Sequence, residues 1–300
     1  MPTGRNSIRL FKAFGINVFL HWSWFLVAAY EIQLRKGVYS SVTWNVAEYL
    51  TLFLFVLLHE FGHALACRSV GGLADEIVLW PFGGVAYASP PPRPGATLWT
   101  IVAGPLVNVV LFPILSALWL FSRSAGWSDD LNQYVFAIWF INLALLIFNI
   151  MPVYPLDGGK ILWALLWFPF GRARSLFIAC IVGFVGAAGL AAVAILLQSK
   201  WLGILCILNV YYCFRGFVEA RELLRRGDAP RRDGCQCPHC GIAPPIGNFW
   251  HCVRCRKSFD PFATQMTCPH CNTQYNIVAC LECGSGAPPQ AWVPGEFAKP

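Results

Sequence analysis

The chain has 300 residues, 57% of them hydrophobic and only 12% charged, a balance that excludes a single soluble globular domain. Its net charge of +7 does not point to nucleic acid, because Lys and Arg gather between apolar runs and just after the last one, where they read as membrane-topology charges. The 13 cysteines divide in two: Cys67, Cys180, Cys206 and Cys213 are scattered in apolar runs as small buried hydrophobes, and the rest crowd between Cys235 and Cys283, so two domains are expected.

Residues 1–15 carry Arg5, Arg9 and Lys12 and lead into an apolar run over 16–30. A secretory signal cleaved after Val27-Ala28-Ala29 is one reading, and a retained first span with His21 in a structural hydrogen-bonding role is preferred. Further apolar runs cover 47–67, 97–121, 131–151, 176–198 and 201–217, all but the last reaching the ~20 residues that cross a bilayer core. Six spans result. One set of alternate connections holds Arg5, Arg9, Lys12, Arg68, Arg93, Lys160, Arg172, Arg174 and the run from Arg215 to Arg232; the other holds Arg35, Lys36, Arg123 and Lys200. The positive-inside tendency then places both termini in the cytoplasm, in a cell (plasma) membrane protein whose second and fourth spans run inward.

The second span contains His59-Glu60-Phe61-Gly62-His63. Histidines four residues apart share one helical face, with ~6 Å of rise between them, so both can ligate one ion, and zinc is the natural occupant. Glu60 can take a proton from a zinc-bound water whose pKa the metal has lowered to about 7. Asn45 to Leu58, just upstream, include Glu48 as their one charge, and ionisable groups in such a span are expensive and usually functional. A hydrolase is the first hypothesis.

Asp75 and Glu76 follow in a loop and are weak competitors for the ion. Residues 77–88 have strand-like content broken by Pro81 and Gly83-Gly84, giving a bent hairpin with an open edge that could pair with an unwound substrate. Pro90 to Pro94 form a stiff linker. Beyond the fourth span, Asn149-Ile150-Met151-Pro152-Val153-Tyr154-Pro155-Leu156-Asp157-Gly158-Gly159 breaks the helix with two prolines and allows a sharp turn at the glycines. Asp157 thus arrives near the depth of the histidines. It would complete a His, His, Asp set with one position open, although it could equally be the N-cap of the helix over 158–168. In the fifth span Gly183, Gly186 and Gly189 indicate close helix packing.

The two motifs His59-Glu60-x-x-His63 and Asn149-x-x-Pro152-x-x-Pro155-Leu156-Asp157-Gly158 together resemble the site-2 protease family of intramembrane zinc metalloproteases. Leu79-Trp80-Pro81-Phe82-Gly83-Gly84 is similar to the hairpin of that family, and Ala103-Gly104-Pro105-Leu106-Val107-Asn108 to its third-span motif. The resemblance implies that His59, His63 and Asp157 bind catalytic zinc and that Glu60 is general base and later proton donor. It also implies that Asn149 holds substrate or the developing oxyanion, and that the substrate is a transmembrane segment of another protein. Asn108 reads as an interhelical hydrogen-bonding residue.

Residues 219–234 form a charged linker. Four C-x-x-C knuckles follow: Cys237/Cys240, Cys252/Cys255, Cys268/Cys271 and Cys280/Cys283, enough for two structural zinc ions. Adjacent pairing resembles tandem zinc ribbons over 235–284, with cross-braced pairing and disulfides as alternatives and Cys235 left over. The ribbons would bind a cytoplasmic protein partner in preference to nucleic acid, and 285–300 are expected to be disordered. The expected fold is therefore an all-α polytopic membrane protease domain over 1–218, embedded in the lipid bilayer, with about six transmembrane helices and a small hairpin, followed by a zinc-ribbon β domain. A transmembrane metal transporter and an inactive scaffold are the competing functions; neither requires Glu60 as a base.

Overall fold

The computed structural model describes residues 7–80 and 83–292 and divides into two compact units, Met1–Phe217 and Val218–Pro300. In chain order the first unit contains β1 (Ser7–Ala13), β2 (Ile16–His21), α1 (Ser23–Leu34), α2 (Val42–Ser69), β3 (Leu73–Trp80), β4 (Gly83–Ser89), α3 (Pro94–Ser124), α4 (Asp129–Ile150) and α5 (Asp157–Leu196). Helix α6 (Lys200–Asp228) runs across the unit boundary. Among the described residues five helices, α2 to α6, are long and apolar enough to cross a membrane.

The expected first span is not one helix. Residues 16–30 divide between β2 and α1, and α1 has 12 residues, ~18 Å of helix against a bilayer core of ~30 Å. Alternation decides the strand, since Ile16, Val18 and Leu20 are buried on one side. The segment nevertheless travels the length of α2. Arg68, at the C-terminal end of α2, donates to the carbonyls of Phe14 (2.6 Å) and Gly15 (3.3 Å) just before β2. Asn45, near the N-terminal end of α2, donates to the Arg35 carbonyl just after α1 (2.9 Å). Strand and helix in series thus cover the ~35 Å of α2 between Asn45 and Arg68.

The expected hairpin is β3–β4, and it belongs to a four-stranded sheet of order β1-β2-β3-β4. The N-terminal hairpin joins it by parallel pairing of 17–20 with 76–79. Ile16, Val18, Leu20, Ile77 and Leu79 pack on Val56, Leu57, Ala64 and Cys67 of α2, so the sheet lies against the helix turns that carry the histidines. β4 is an edge of the sheet; Pro81, where the hairpin was expected to bend, and Phe82 lie outside the described residues.

Helices α2, α3, α4 and α5 alternate in direction. Trp99 near the start of α3 bonds Ser69 at the end of α2 (3.1 Å), and at the opposite end the Ser40 backbone N–H donates to Asp130 of α4 (3.0 Å). Arg68, Arg93, Lys160, Arg172 and Arg174 therefore share one end of the bundle, and Arg35, Lys36, Arg123 and Lys200 the other.

The second unit contains β5 (Trp250–His251) paired with β6 (Ser258–Phe259), β7 (Val278–Ala279) paired with β8 (Gly286–Ala287), and α7 (Pro289–Trp292). Residues 285–292 are thus folded where a disordered tail was expected. Ala287 and Trp292 supply the reason: both are buried, Trp292 packs on Phe262 at 5.3 Å, and its carbonyl accepts from the Gln236 N–H at 2.9 Å. Two apolar anchors outweigh the Pro and Gly content around them. Residues 293–300 lie outside the described residues.

Candidate active site

Helix α2 presents His59 and His63 on one face, one turn apart, toward α3 and the start of α5. The seam with α3 is close because of two glycines. A Cβ on Gly62 would press on the Ala103 carbonyl, and one on Gly104 would collide with the His63 imidazole. Any larger residue at 104 would displace the ring.

Asp157 reaches the same point from α5. It is the first residue of that helix, with Leu156 in the capping position, so it is not the N-cap. Gly158 and Gly159 are helical; side chains there would strike the carbonyl of Ile150 and the backbone of Tyr154, so they permit close approach where a sharp turn was expected. Nε2 of His59, Nε2 of His63 and Oδ2 of Asp157 form a triangle with edges of 3.1, 3.0 and 3.1 Å. All three residues are buried.

The other ring nitrogens fix the tautomers. Nδ1 of His63 lies 2.8 Å from the Thr100 carbonyl, which can only accept, so that nitrogen carries the proton. Nδ1 of His59 lies 2.8 Å from Oδ1 of Asn108. Asn108 in turn donates to Oδ1 of Asn142 (2.9 Å), whose amide donates back to the Asn108 carbonyl (3.0 Å). Both Nε2 lone pairs therefore face a carboxylate oxygen. Three acceptors converging in a buried space suit a cation between them, and their edges are a few tenths of an ångström inside the roughly 3.3–3.6 Å that tetrahedral ligands ~2.0–2.2 Å from one zinc ion take up. The site fits zinc.

Glu60 is 6% exposed and lines, with His63 and Asp157, a cavity of about 510 Å³. Lys160, one turn along α5, places Nζ 3.5 Å from Oδ1 of Asp157, leaving Oδ2 toward the histidines. Asn149 is not among the residues lining the cavity; its amide donates to the Leu145 carbonyl of its own helix (3.0 Å). Asp75 pairs with Arg68 (2.8 Å) on the surface and Glu76 lies in β3, so neither joins the site. His21 bonds Ser23 and stacks on Trp80, a structural role. Asn142 escaped the sequence reading. Its signal was a polar residue in an apolar helix, seven positions and hence two turns before Asn149.

In the second unit the eight knuckle cysteines form two clusters, Cys237, Cys240, Cys280 and Cys283, and Cys252, Cys255, Cys268 and Cys271. The pairing is nested, first knuckle with last and second with third, which replaces the adjacent pairing expected from sequence. The β7–β8 hairpin folds the last knuckle back, held by the Trp250 indole donating to the Ala279 carbonyl at 3.0 Å. Sulfur separations of 3.8, 3.8, 3.4 and 3.7 Å rule out disulfides and match the roughly 3.8 Å edge of a tetrahedron with Zn–S of 2.3 Å. The Cys255 backbone N–H and then the Tyr275 hydroxyl draw the Cys252 thiol down to about 5. Burial pushes the Cys283 thiol up, but the backbone N–H and hydroxyl of Ser285 outweigh it and bring it to about 6. Bound zinc would be ligated by all four sulfurs of a cluster as thiolates.

The model of Peptidase family M50 matches residues 47–131 and 124–193. A zinc metalloprotease of Methanocaldococcus jannaschii is 33% identical over 222 residues, covering 73% of this chain and 61% of that protein. Stage IV sporulation protein FB of Bacillus subtilis is 29% identical over 195 residues, covering 62% and 65%. The chain thus spans less than two thirds of the length of either relative. Among solved structures, the site-2 protease from Methanocaldococcus jannaschii matches with a TM-score of 0.52 and 28% identity, over 70% of this chain and 95% of that one. The family match takes in both stretches that bring His59, His63 and Asp157 together, and the chain belongs to peptidase family M50, the site-2 protease family.

Proposed function

We propose that the chain is a zinc metalloendopeptidase that cleaves transmembrane segments of other proteins inside the membrane. The observation that carries this is the triangle of His59, His63 and Asp157 with buried Glu60 in the same cavity. Zinc bound there would polarise a peptide carbonyl and acidify a water molecule. Glu60 takes the proton from the attacking water and returns it to the leaving amine. Asn108 and the Thr100 carbonyl hold the two imidazoles in the ligating tautomer, and Lys160 holds Asp157. The free edge of β4, whose last residues Ala88 and Ser89 line the cavity, would receive the substrate as an added strand. For Asn149 to hold substrate or an oxyanion, its amide would leave the Leu145 carbonyl.

The second unit would hold two structural zinc ions and bind a cytoplasmic protein partner. The basic end of the bundle would face the cytoplasm of a cell whose plasma membrane houses the protein, with both termini on that side. The test is Glu60→Gln. It is expected to retain zinc and to abolish cleavage of a co-expressed membrane substrate, which would then be trapped on the variant for identification; retained cleavage would falsify the mechanism.

A further inference from the structure

The wall of the cavity formed by α5 carries more than the hydrolytic site itself requires. Lys160 sits one turn beyond Asp157 with its side chain 40% exposed. Trp163 and Trp167 follow at a helical spacing and stack, ring centroids 5.4 Å apart and planes within 18°. At Gly171 the backbone has φ 77° and ψ 167°, a conformation essentially restricted to glycine, and α5 breaks there. The break folds Arg172 back on the indoles: its guanidinium lies 5.7 Å from the Trp167 ring, and its carbonyl accepts from the Trp163 N–H at 3.3 Å. Lys160, Trp163, Trp167 and Arg172 all line the cavity that contains Glu60, His63 and Asp157, and the rest of the lining, such as Ser89, Pro90 and Thr97, is neutral.

Charge gives this wall a direction. With a divalent ion held by two neutral imidazoles and one carboxylate, Glu60 is offset within the site, and the two cations leave the lining net positive. An indole face holds a guanidinium in one plane and leaves its N–H edge free for a planar carboxylate. The partly enclosed position strengthens such a pair relative to open water.

We infer that Lys160 and Arg172, supported by Trp163 and Trp167, form a recognition site for an acidic side chain of the substrate polypeptide, on the stretch leaving the scissile bond toward the basic end of the bundle. The inference rests on the peptidase reading of the site. A lipid phosphate is a second anion of similar chemistry. The polypeptide is favoured because the cations share one cavity with Glu60 and with Ala88 and Ser89 at the end of β4, where an extended chain would lie.

The experiment uses the full-length, zinc-loaded Glu60→Gln protein in phosphatidylcholine nanodiscs. The probes are two labelled synthetic peptides with the same apolar segment, flanked on one side by glutamates or by lysines. The glutamate peptide is expected to bind about fivefold or more tightly than the lysine peptide. Arg172→Glu, which leaves the Lys160–Asp157 pair in place, is expected to remove the preference. Equal binding of the two peptides, binding of neither, or a preference that survives the charge reversal overturns the inference. A preference that disappears when phosphatidylglycerol replaces phosphatidylcholine also overturns it and assigns the cations to lipid. The peptidase reading fails separately, if wild type leaves the same segment with an uncharged flank uncut.

Discussion

Asn108 fits its place in one orientation only. Turned over, its amide would offer protons to Nδ1 of His59, forcing that ring into the tautomer whose Nε2 carries hydrogen and cannot bind a metal. Asn142 prevents the turn, because its Oδ1 needs the Asn108 amide as donor and its own amide is committed to the Asn108 carbonyl. Asn142→Leu is therefore expected to lower zinc affinity about 10- to 100-fold, the usual effect of losing a ligand's supporting bond. It should also destabilise the bundle by about 1–3 kcal/mol through the orphaned amide. Competition with a chromophoric chelator and thermal unfolding of the same sample separate the two effects; unchanged zinc affinity would show that Asn108 holds its orientation unaided. His59, His63 and Asp157 were legible in the sequence because helical spacing and a proline-broken helix are local signals. Asn142 was not, because its importance lies in a contact between residues 34 apart.

At the scale of elements, the sequence pattern was ambiguous where two periodicities overlapped. Ile16 to His21 is apolar enough for a span and alternates well enough for a strand. Pairing with β3, 59 residues later in register, decides for the strand, and no local rule reports that partner. The helix break at Gly171 lay between two segments correctly kept apart in the sequence reading, whereas its turn over Trp167 is tertiary. The cysteine knuckles were equally clear as units and equally silent on their wiring, since 15 residues or 40 can separate partners with little difference in loop entropy. Nested wiring has a direct check. Cys240→Ala and Cys280→Ala, singly or together, should each remove one ribbon zinc and spare the other, by native mass spectrometry of the full chain. Adjacent pairing would make the double variant lose both.

For the whole molecule, charge and composition divide the labour. The first unit draws its stability from apolar helices and a buried sheet, so stripping zinc with a strong chelator is expected to leave its helical circular dichroism largely intact. The second unit has a small core in which five cysteines pack with Trp250, Phe259, Met266, Val278, Ala287 and Trp292, and the same treatment should unfold it, exposing those tryptophans to quenchers. Retention of its fold without metal would mean that the small apolar core suffices. The orientation is checked by reporters active only in the cytoplasm, fused to each terminus; both should be active. The strand-plus-helix segment supports that expectation, since it begins beside the C-terminal end of α2 and ends beside its N-terminal end, as an ordinary first span would have done.

Nested ribbons also impose an order on biosynthesis. Cys237 and Cys240 leave the ribosome only after the apolar helices upstream and must then wait for Cys280 and Cys283, so the outer cluster stays half-made until the inner knuckles and the last one have been translated. A stalled or prematurely terminated product would display two unmatched thiols beside a finished bundle, a mark by which quality-control proteases could tell an incomplete chain from a mature one.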